Sequence, residues 1–504
     1  MSANLADLVR DAASTRPDHP ALTSGARTLT WSQVDAAVDV ATAGFQGLGL
    51  KPGDRVALVL GNVPEFVSAY FGALRAGLVA VPMNTGSTSS ELTGLLGDCG
   101  ARAVVFDRGS ASAVRHSDAP ADMIRVVVGA PAPGEKAFGS FTGTPYPHQT
   151  QPEDLALLMY TSGTSGRPKG AMLTHRALRA SVEQVHNVVP PGQPAVTGDD
   201  VVLLVLPLFH IYALNGTLAA AARCAATIVL VERFDPAACL AAVRTYGVTN
   251  IPGAPPMYIA WSTEPDLRQS FSTVRLLLTG AAPMPAAVLE QITTATGLPV
   301  FEGYGLTEAA PGVCSTLVGG VAKPGSVGRA LPGVELRLVD EDGEAAEEGD
   351  PGEIAIKGPN LFSGYWPDAD GGPDLQGWYR TGDVAYEDDE GDLVLVDRRK
   401  ELVIVSGFNV YPREVEDALG AHPDVAEVAV VGVPDPQTGE AVVAFVVPEP
   451  GAVPDPEDIM RYAGTRLARF KWPAQVRIVE ELPHSDSGKI AKVRLRRDPS
   501  GPAA

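Results

Sequence analysis

From Asp54 to Asn84 the chain reads DRVALVLGNVPEFVSAYFGALRAGLVAVPMN. A short continuous apolar run, a stretch with apolar residues at helical spacing and a second apolar run follow one another, which predicts a strand, an amphipathic helix and a parallel strand. Further buried strands are expected in ARAVVFD (101–107), VVLLVLPL (201–208), ATIVLVERF (226–234), VRLLLTG (274–280) and LPVFEGYG (298–305). Several of these end in glycine, and in open α/β sheets ligands bind beyond the carboxyl ends of the strands. After about residue 320 the pattern changes to LRLVDEDGEAAEEGDPGEIAIKG, with alternating positions and turn residues that predict a smaller β-barrel-like unit. In DRRKELVIVSGFNVYPREVEDAL (397–419) a charged turn leads into a strand and an amphipathic helix, so a domain boundary is placed at that turn. The expected fold is α/β: a large N-terminal domain of αβ-layered sheets with the small β unit over 1–396, a hinge at 397–401, and a smaller α+β domain over 402–504.

A length of 504 residues is too great for one core and agrees with this division. The longest apolar run, VVLLVLPLF, is about half of what a membrane-spanning helix needs. The first residues, MSANLADLVRDAASTRP, have neither a basic start nor a long apolar stretch, so no secretory signal is expected and the protein is placed in the cytoplasm. Cys99, Cys224, Cys239 and Cys314 lie far apart, without disulfide or metal spacing. The net charge of −21 argues against a nucleic-acid partner. From Arg461 onward, however, ten Lys or Arg face four Asp or Glu, a basic excess able to attract a polyanionic small molecule or to form a solvated helix face.

The most pointed chemistry lies in YTSGTSGRPKG, residues 160–170. Thr161, Ser162, Thr164 and Ser165 alternate with Gly163 and Gly166, so amide and hydroxyl donors can approach phosphate oxygens while Lys169 adds positive charge. It is not the P-loop, which requires Gly-Lys-Ser/Thr at its end. Taken alone, such a segment is more often only a surface connection. Further along come LPLFHIYALN (206–215), TGAAPM (279–284), EGYGLTE (302–308), WYRTGD (378–383), DRRKELVIVSGFNVYPREVE (397–416) and PHSDSGKI (483–490).

In these motifs and their order the chain resembles the AMP-forming adenylating superfamily of acyl-CoA and aryl-CoA synthetases, peptide-synthetase adenylation domains and beetle luciferases. It looks most like the bacterial fatty-acyl-CoA ligases. The resemblance covers nearly the whole chain, with Ser165 standing where threonine is more usual. It implies a carboxylic acid, ATP and coenzyme A as substrates, with Mg2+ as cofactor. By resemblance Lys489 is the catalytic lysine that bridges carboxylate and phosphate, Glu308 is the magnesium ligand, and Thr307 contacts phosphate. Tyr304, with Glu302, Gly303 and Gly305 beside it, would lie against adenine, and Gly280, Ala281 and Ala282 would form a thin wall there. Asp383 and Arg398 would hold the ribose. The resemblance also implies that the C-terminal domain is mobile, turning about Lys400 so that CoA's thiol passes Ser406, Gly407 and Phe408.

For the acid, His210 resembles the family's histidine at the carboxylate end of the acyl pocket. Tyr212, Asn215, Gly253, Ala254, Met257, Tyr258, Ala309, Ala310 and Val313 are placed around it. None is Lys or Arg, so a dicarboxylic acid such as malonate would leave its second carboxylate unpaired at a cost of several kcal/mol. PLFHIY lacks the aspartate that receives the ammonium group in peptide-synthetase relatives. A medium- or long-chain fatty acid is the leading expectation, and an aryl or cinnamic acid the second. Two other readings are an enzyme that stops at the adenylate or loads a carrier protein, and a non-catalytic acyl or nucleotide binder. The retained Lys489, Glu308, Asp383 and Arg398 oppose the binder.

Overall fold

The computed structural model describes residues 3–120, 122–161, 168–188, 194–282, 284–340, 342–347, 349–398, 401, 403–405, 408–435, 439–464, 466–467, 469–484 and 490–497. The chain divides into two compact units, one of residues 1–336 with 356–379, the other of 337–355 with 380–504.

Two sheets organise the first unit. The larger has nine strands in the order 329–330, 312–315, 300–305, 276–279, 250–253, 201–204, 227–230, 20–24, 27–30. Its six central strands, from 300–305 to 20–24, run parallel. From Val201–Leu204 the chain passes first to Thr227–Leu230 on one side and then to Asn250–Gly253 on the other. The order therefore reverses at Val201–Leu204, and such a reversal opens a crevice at the carboxyl ends. The second sheet has seven strands, in the order 136–137, 124–127, 103–106, 55–59, 79–82, 155–161, 169–174, and only the last pairing is antiparallel. That antiparallel edge pair, Leu155–Thr161 and Lys169–Thr174, carries the Ser/Thr/Gly loop between its strands.

The strands read from apolar runs are present, trimmed to their buried centres, as in Ala103–Phe106 and Leu276–Thr279. One apolar cluster draws on both sheets and on the helices Trp31–Gly47, Pro64–Arg75 and His175–His186, which fill the space between them. A second cluster lies under Pro236–Tyr246, Pro255–Ser262 and Ala286–Thr296, where Trp261 meets the rings of Phe234, Tyr258 and Phe271 edge-on. After the strand Val201–Leu204, residues Tyr212–Ala219 wind as a π-helix before returning to α geometry at Ala220–Arg223.

In the second unit, the segment expected to resemble a barrel is a linear four-stranded sheet in the order 335–339, 352–357, 379–387, 393–398. The remainder has strands in the order 408–410, 403–405, 439–448, 425–435, with Gln475–Ile478 added parallel to Gly439–Pro448. Helices Pro412–Gly420 and Pro456–Ala463 bury Val415, Leu419, Ile459 and Ala463 against it. No helix among the described residues is long and apolar enough to cross a membrane. All four cysteines are free thiols; Cys99, Cys239 and Cys314 are buried and Cys224 is half-buried.

The N-terminal segment is pinned by His175, whose Nδ1 accepts from the Leu5 amide at 3.0 Å. Burial lowers its pKa from 6.5 to about 4, because a protonated ring would lose that acceptor and its solvation together. The folded value lies below the unfolded one, so the contribution is complete above pH 6.5 and is lost as pH falls towards 4. Urea titrations of the whole protein should show a loss on the order of 3 kcal/mol over that window. His175→Asn, which keeps a neutral acceptor, should flatten this acid slope.

Candidate functional site

The strand ends place most of the expected residues of the first unit together. Gly253 ends one parallel strand and Ala254 follows it, Gly280 follows Leu276–Thr279, and Glu302 to Gly305 close Val300–Gly305. His210 and Tyr212 follow the strand at which the order reverses, with the His210 ring 4.7 Å from that of Phe209. A Cβ on Gly280 would stand 3.5 Å from the Tyr212 ring and 3.4 Å from the Gly303 carbonyl. A Cβ on Gly216 would meet Tyr212 at 3.2 Å and Pro311 at 3.3 Å. The Tyr212 ring is thus flanked by the backbones of Gly216 and Gly280, and burial pushes its phenol pKa up, so it stays neutral. Ala281 takes a left-handed conformation with φ of 71°, and Gly280 is buried beside it.

Gly303 and Tyr304 pair antiparallel with Ser315 and Cys314, and the register shifts before Gly305 pairs with Gly312. At that irregularity a Cβ on Gly305 would lie 2.3 Å from the Pro311 carbonyl oxygen. Only glycine allows the two backbones to approach this closely. The next residues, Thr307 to Ala309, form one 3-10 turn and bury the Glu308 side chain. The Glu302 backbone is bracketed by Thr316, whose hydroxyl accepts from its amide at 2.9 Å.

Four of the residues expected at the acyl pocket act within the scaffold. Asn215 donates to the carbonyls of Leu178 at 3.0 Å and Ala310 at 2.7 Å, and is fully buried. Tyr258 and Met257 sit in the second apolar cluster, and the Tyr258 hydroxyl reaches the Leu278 carbonyl at 2.7 Å and that of Ile251 at 3.1 Å. Ala309 presents its carbonyl to the Asn360 amide at 2.8 Å. Val313 and Ala310 are buried.

A tyrosine absent from the sequence reading completes the neighbourhood of Glu308. The Tyr365 hydroxyl donates to Glu308 Oε1 at 2.5 Å, and Lys169 Nζ stands 5.1 Å from the Tyr365 ring centre. Burial, then the charge of Glu308, pushes the Tyr365 phenol far up, so it acts as donor. The motif signals that identify Glu308 do not extend to Tyr365, 57 residues downstream, because only the fold makes them neighbours. On the loop's incoming side, Tyr160 donates to the Asp98 carboxylate, and the Asp98 carbonyl accepts from Trp366 Nε1 at 3.0 Å. Thr161 and Lys169 end the two strands that carry the loop, while Ser162, Gly163, Thr164 and Ser165 lie outside the described residues.

In the second unit, Asp383 and Arg398 are directly opposed across the antiparallel strands Tyr379–Glu387 and Leu393–Arg398. The turn that presents Asp383 is anchored by Glu353, which accepts from Arg380 Nε at 2.9 Å and from the Gly382 amide at 3.1 Å. Phe408 pairs with Val405 in a short hairpin. Lys400, Ser406, Gly407 and Lys489 lie outside the described residues. The basic excess is partly engaged within its own unit: Lys471 pairs with Glu414 at 2.6 Å, Lys492 with Glu416 at 2.8 Å and Glu401 at 3.1 Å, and Arg466 lies over the Tyr462 ring. Such cations are less available to a polyanion than a formal count implies.

Among the described residues no group of three or more His, Cys, Asp or Glu side chains could hold a metal ion. A single buried carboxylate fits magnesium, which is commonly bound through one or two carboxylates plus substrate phosphates and keeps several waters. Glu308 is such a carboxylate.

Family models described as AMP-binding enzyme and AMP-binding enzyme C-terminal domain match residues 9–366 and 414–489. The chain is 36% identical over 535 aligned positions to a long-chain-fatty-acid–CoA ligase of Escherichia coli, covering 99% of this chain and 95% of the relative. It is 37% identical to a feruloyl-CoA synthase of a Streptomyces species, covering 95% and 96%. The crystal structure of ATP-bound MatB from Rhodopseudomonas palustris superposes with a TM-score of 0.92 at 31% identity, covering 99% of each chain.

The close approach at Gly305 yields a direct test. Gly305→Ala must displace the backbone next to Tyr304, and a shift of about 1 Å can cost on the order of 10²-fold in rate. Nucleotide-dependent turnover should fall by that order while circular dichroism remains native.

Proposed function

The chain belongs to the AMP-binding enzyme family as an AMP-forming acid–thiol ligase using a carboxylic acid, ATP and CoA, and from that premise we propose that its acid is apolar, a medium- or long-chain fatty acid. The observation that carries this reading is the setting of Tyr212. Its neighbours Gly216 and Gly280 bring no charge, and none of the residues expected to line the pocket is Lys or Arg. An apolar chain loses nothing polar on entering such a space and gains about 0.8 kcal/mol per buried methylene. An aryl or cinnamic acid is the second reading, favoured by the flat face of Tyr212 and by the likeness to a feruloyl-CoA synthase.

In this reading a carboxylate oxygen attacks the α-phosphorus of ATP and pyrophosphate leaves. CoA's sulfur then attacks the acyl carbonyl, and AMP leaves with the bonding electrons. Like charges meet in the first step, so the chain must supply cations and donors. Lys489 bridges the carboxylate and phosphate oxygens as a point charge. The loop from Thr161 to Lys169 directs its hydroxyl and amide donors at the outer phosphates. Asp383 accepts from the ribose hydroxyls, with Arg398 opposite it in the strand register. Tyr304 packs on adenine, beside the thin wall of Gly280, Ala281 and Ala282. Magnesium held by Glu308 would offset the phosphate charge during attack. His210 stands at the carboxylate end of the acid. Residues 397–401 serve as the hinge about which the C-terminal domain, 402–504, exchanges Lys489 for the thiol path past Ser406, Gly407 and Phe408.

The test is AMP release with ATP, Mg2+ and CoA across saturated acids of increasing length, benzoate, cinnamate and malonate. We expect CoA-dependent release that peaks at one medium or long chain, and a fall of at least about 10²-fold in Lys489→Ala. A maximum on cinnamate would select the second reading, and a maximum on malonate would overturn the apolar pocket.

A further inference from the structure

Tyr365 connects two parts of the nucleotide site that are far apart in sequence. Its segment is hydrogen-bonded to the strand leaving the phosphate loop: Ser363 N–H donates to the Met172 carbonyl at 2.9 Å, Met172 N–H to that of Gly364 at 3.0 Å, and Trp366 N–H to that of Gly170 at 2.8 Å. From that base the hydroxyl reaches Glu308 Oε1 at 2.5 Å and stands 3.4 Å from the Tyr379 hydroxyl. Phe362 packs edge-on against both rings, at 5.1 Å and 5.0 Å, and the Phe362 amide donates to the Glu308 carbonyl at 2.8 Å. Glu308 is therefore held at its backbone and at its side chain by one short segment, residues 362–365.

A buried phenol usually finds a partner, and a backbone carbonyl suffices, as Tyr258 shows with Leu278. Placing it on a carboxylate instead makes a charge-assisted bond, which is stronger and directional. One oxygen of Glu308 is thereby fixed and the other is left for another ligand. We propose that Tyr365 is a positioning residue for metal binding: it fixes the rotation of the Glu308 carboxyl group and ties it to the strand that begins at Lys169, so that the carboxylate presents its second oxygen to a magnesium–nucleotide complex in a fixed orientation to that strand. This rests on the reading of Glu308 as the magnesium ligand.

The experiment compares the full-length wild type, Tyr365→Phe and Glu308→Gln in two assays. One is the Mg2+ dependence of ATP–pyrophosphate exchange. The other, independent of turnover, is Mn2+ binding by electron paramagnetic resonance in the presence of a non-hydrolysable ATP analogue. Tyr365→Phe should raise the Mg2+ concentration at half-maximal exchange about tenfold and weaken Mn2+ binding by a similar factor. Its KM for the carboxylic acid should stay close to wild type. Glu308→Gln should shift both metal readouts further. A shift in Glu308→Gln with none in Tyr365→Phe would overturn the positioning role alone. No shift in either would overturn the assignment of Glu308. A lowered melting temperature in Tyr365→Phe with unchanged metal readouts would make the phenol a packing group and overturn the proposal.

Discussion

The segment from Leu306 to Gly312 buries a run of backbone polar groups next to the candidate site that one 3-10 turn and the first residue of a strand satisfy only in part, and the surrounding structure is arranged to meet the remaining demand. Buried carbonyls need donors. The amide of Asn215 takes the Ala310 carbonyl, and that of Asn360 takes those of Ala309 and Gly312. Gln184 donates in turn to Asn360, and the Leu306 amide closes on the Pro311 carbonyl. Elements drawn from residues 184, 215 and 360 thus converge on one turn. The side-chain amides of Asn215 and Asn360 each reach two carbonyls, which favours one conformation of the turn, although Gln184 Oε1 and Asn215 Oδ1 are buried without a hydrogen-bond partner among the described residues. Glu308 inherits that preference.

The sheets supply the other half of the arrangement. Parallel strands expose their carboxyl ends on one edge, and the reversal at Val201–Leu204 leaves a gap there between two diverging connections. His210 and Tyr212 enter from the middle of that edge, Gly280 and Tyr304 from its neighbours. The Ser/Thr/Gly loop lies between antiparallel edge strands of the other sheet, and the strand that follows it, Lys169–Thr174, is joined to the Glu308 side through the 362–366 segment. One ligand can then be met by residues that no single element carries.

Much of this was legible in the chain because its signals are local. Apolar runs ending in glycine announced the parallel strands, and short motifs singled out Glu308, Asp383 and the Ser/Thr/Gly loop as candidates. What escaped depends on neighbours that sequence spacing does not reveal. Tyr365 has no local mark distinguishing it from any aromatic residue near a glycine. Met257 and Tyr258 have the composition of a pocket wall and of a core alike, and they lie in the core. Alternation after residue 320 predicts strands, but closure into a barrel is a property of pairing, and the strands pair in a line. The basic C-terminal excess is real by count, yet Lys471 and Lys492 have found acidic partners within their own unit.

The π-helical turn at Tyr212–Ala219 bears on how this site can change over time. A π turn accommodates one residue more than an α turn and is rare because it packs less well. Deleting a single residue from it would restore α geometry and rotate Tyr212 by about 100° relative to the sheet. Point substitutions here only trim or enlarge a wall, whereas one codon lost would re-aim the wall itself. Descendants of this chain thus have open to them an abrupt way to reshape the surroundings of Tyr212, one that proceeds by deletion in a helix and leaves the residues on the neighbouring strands in place.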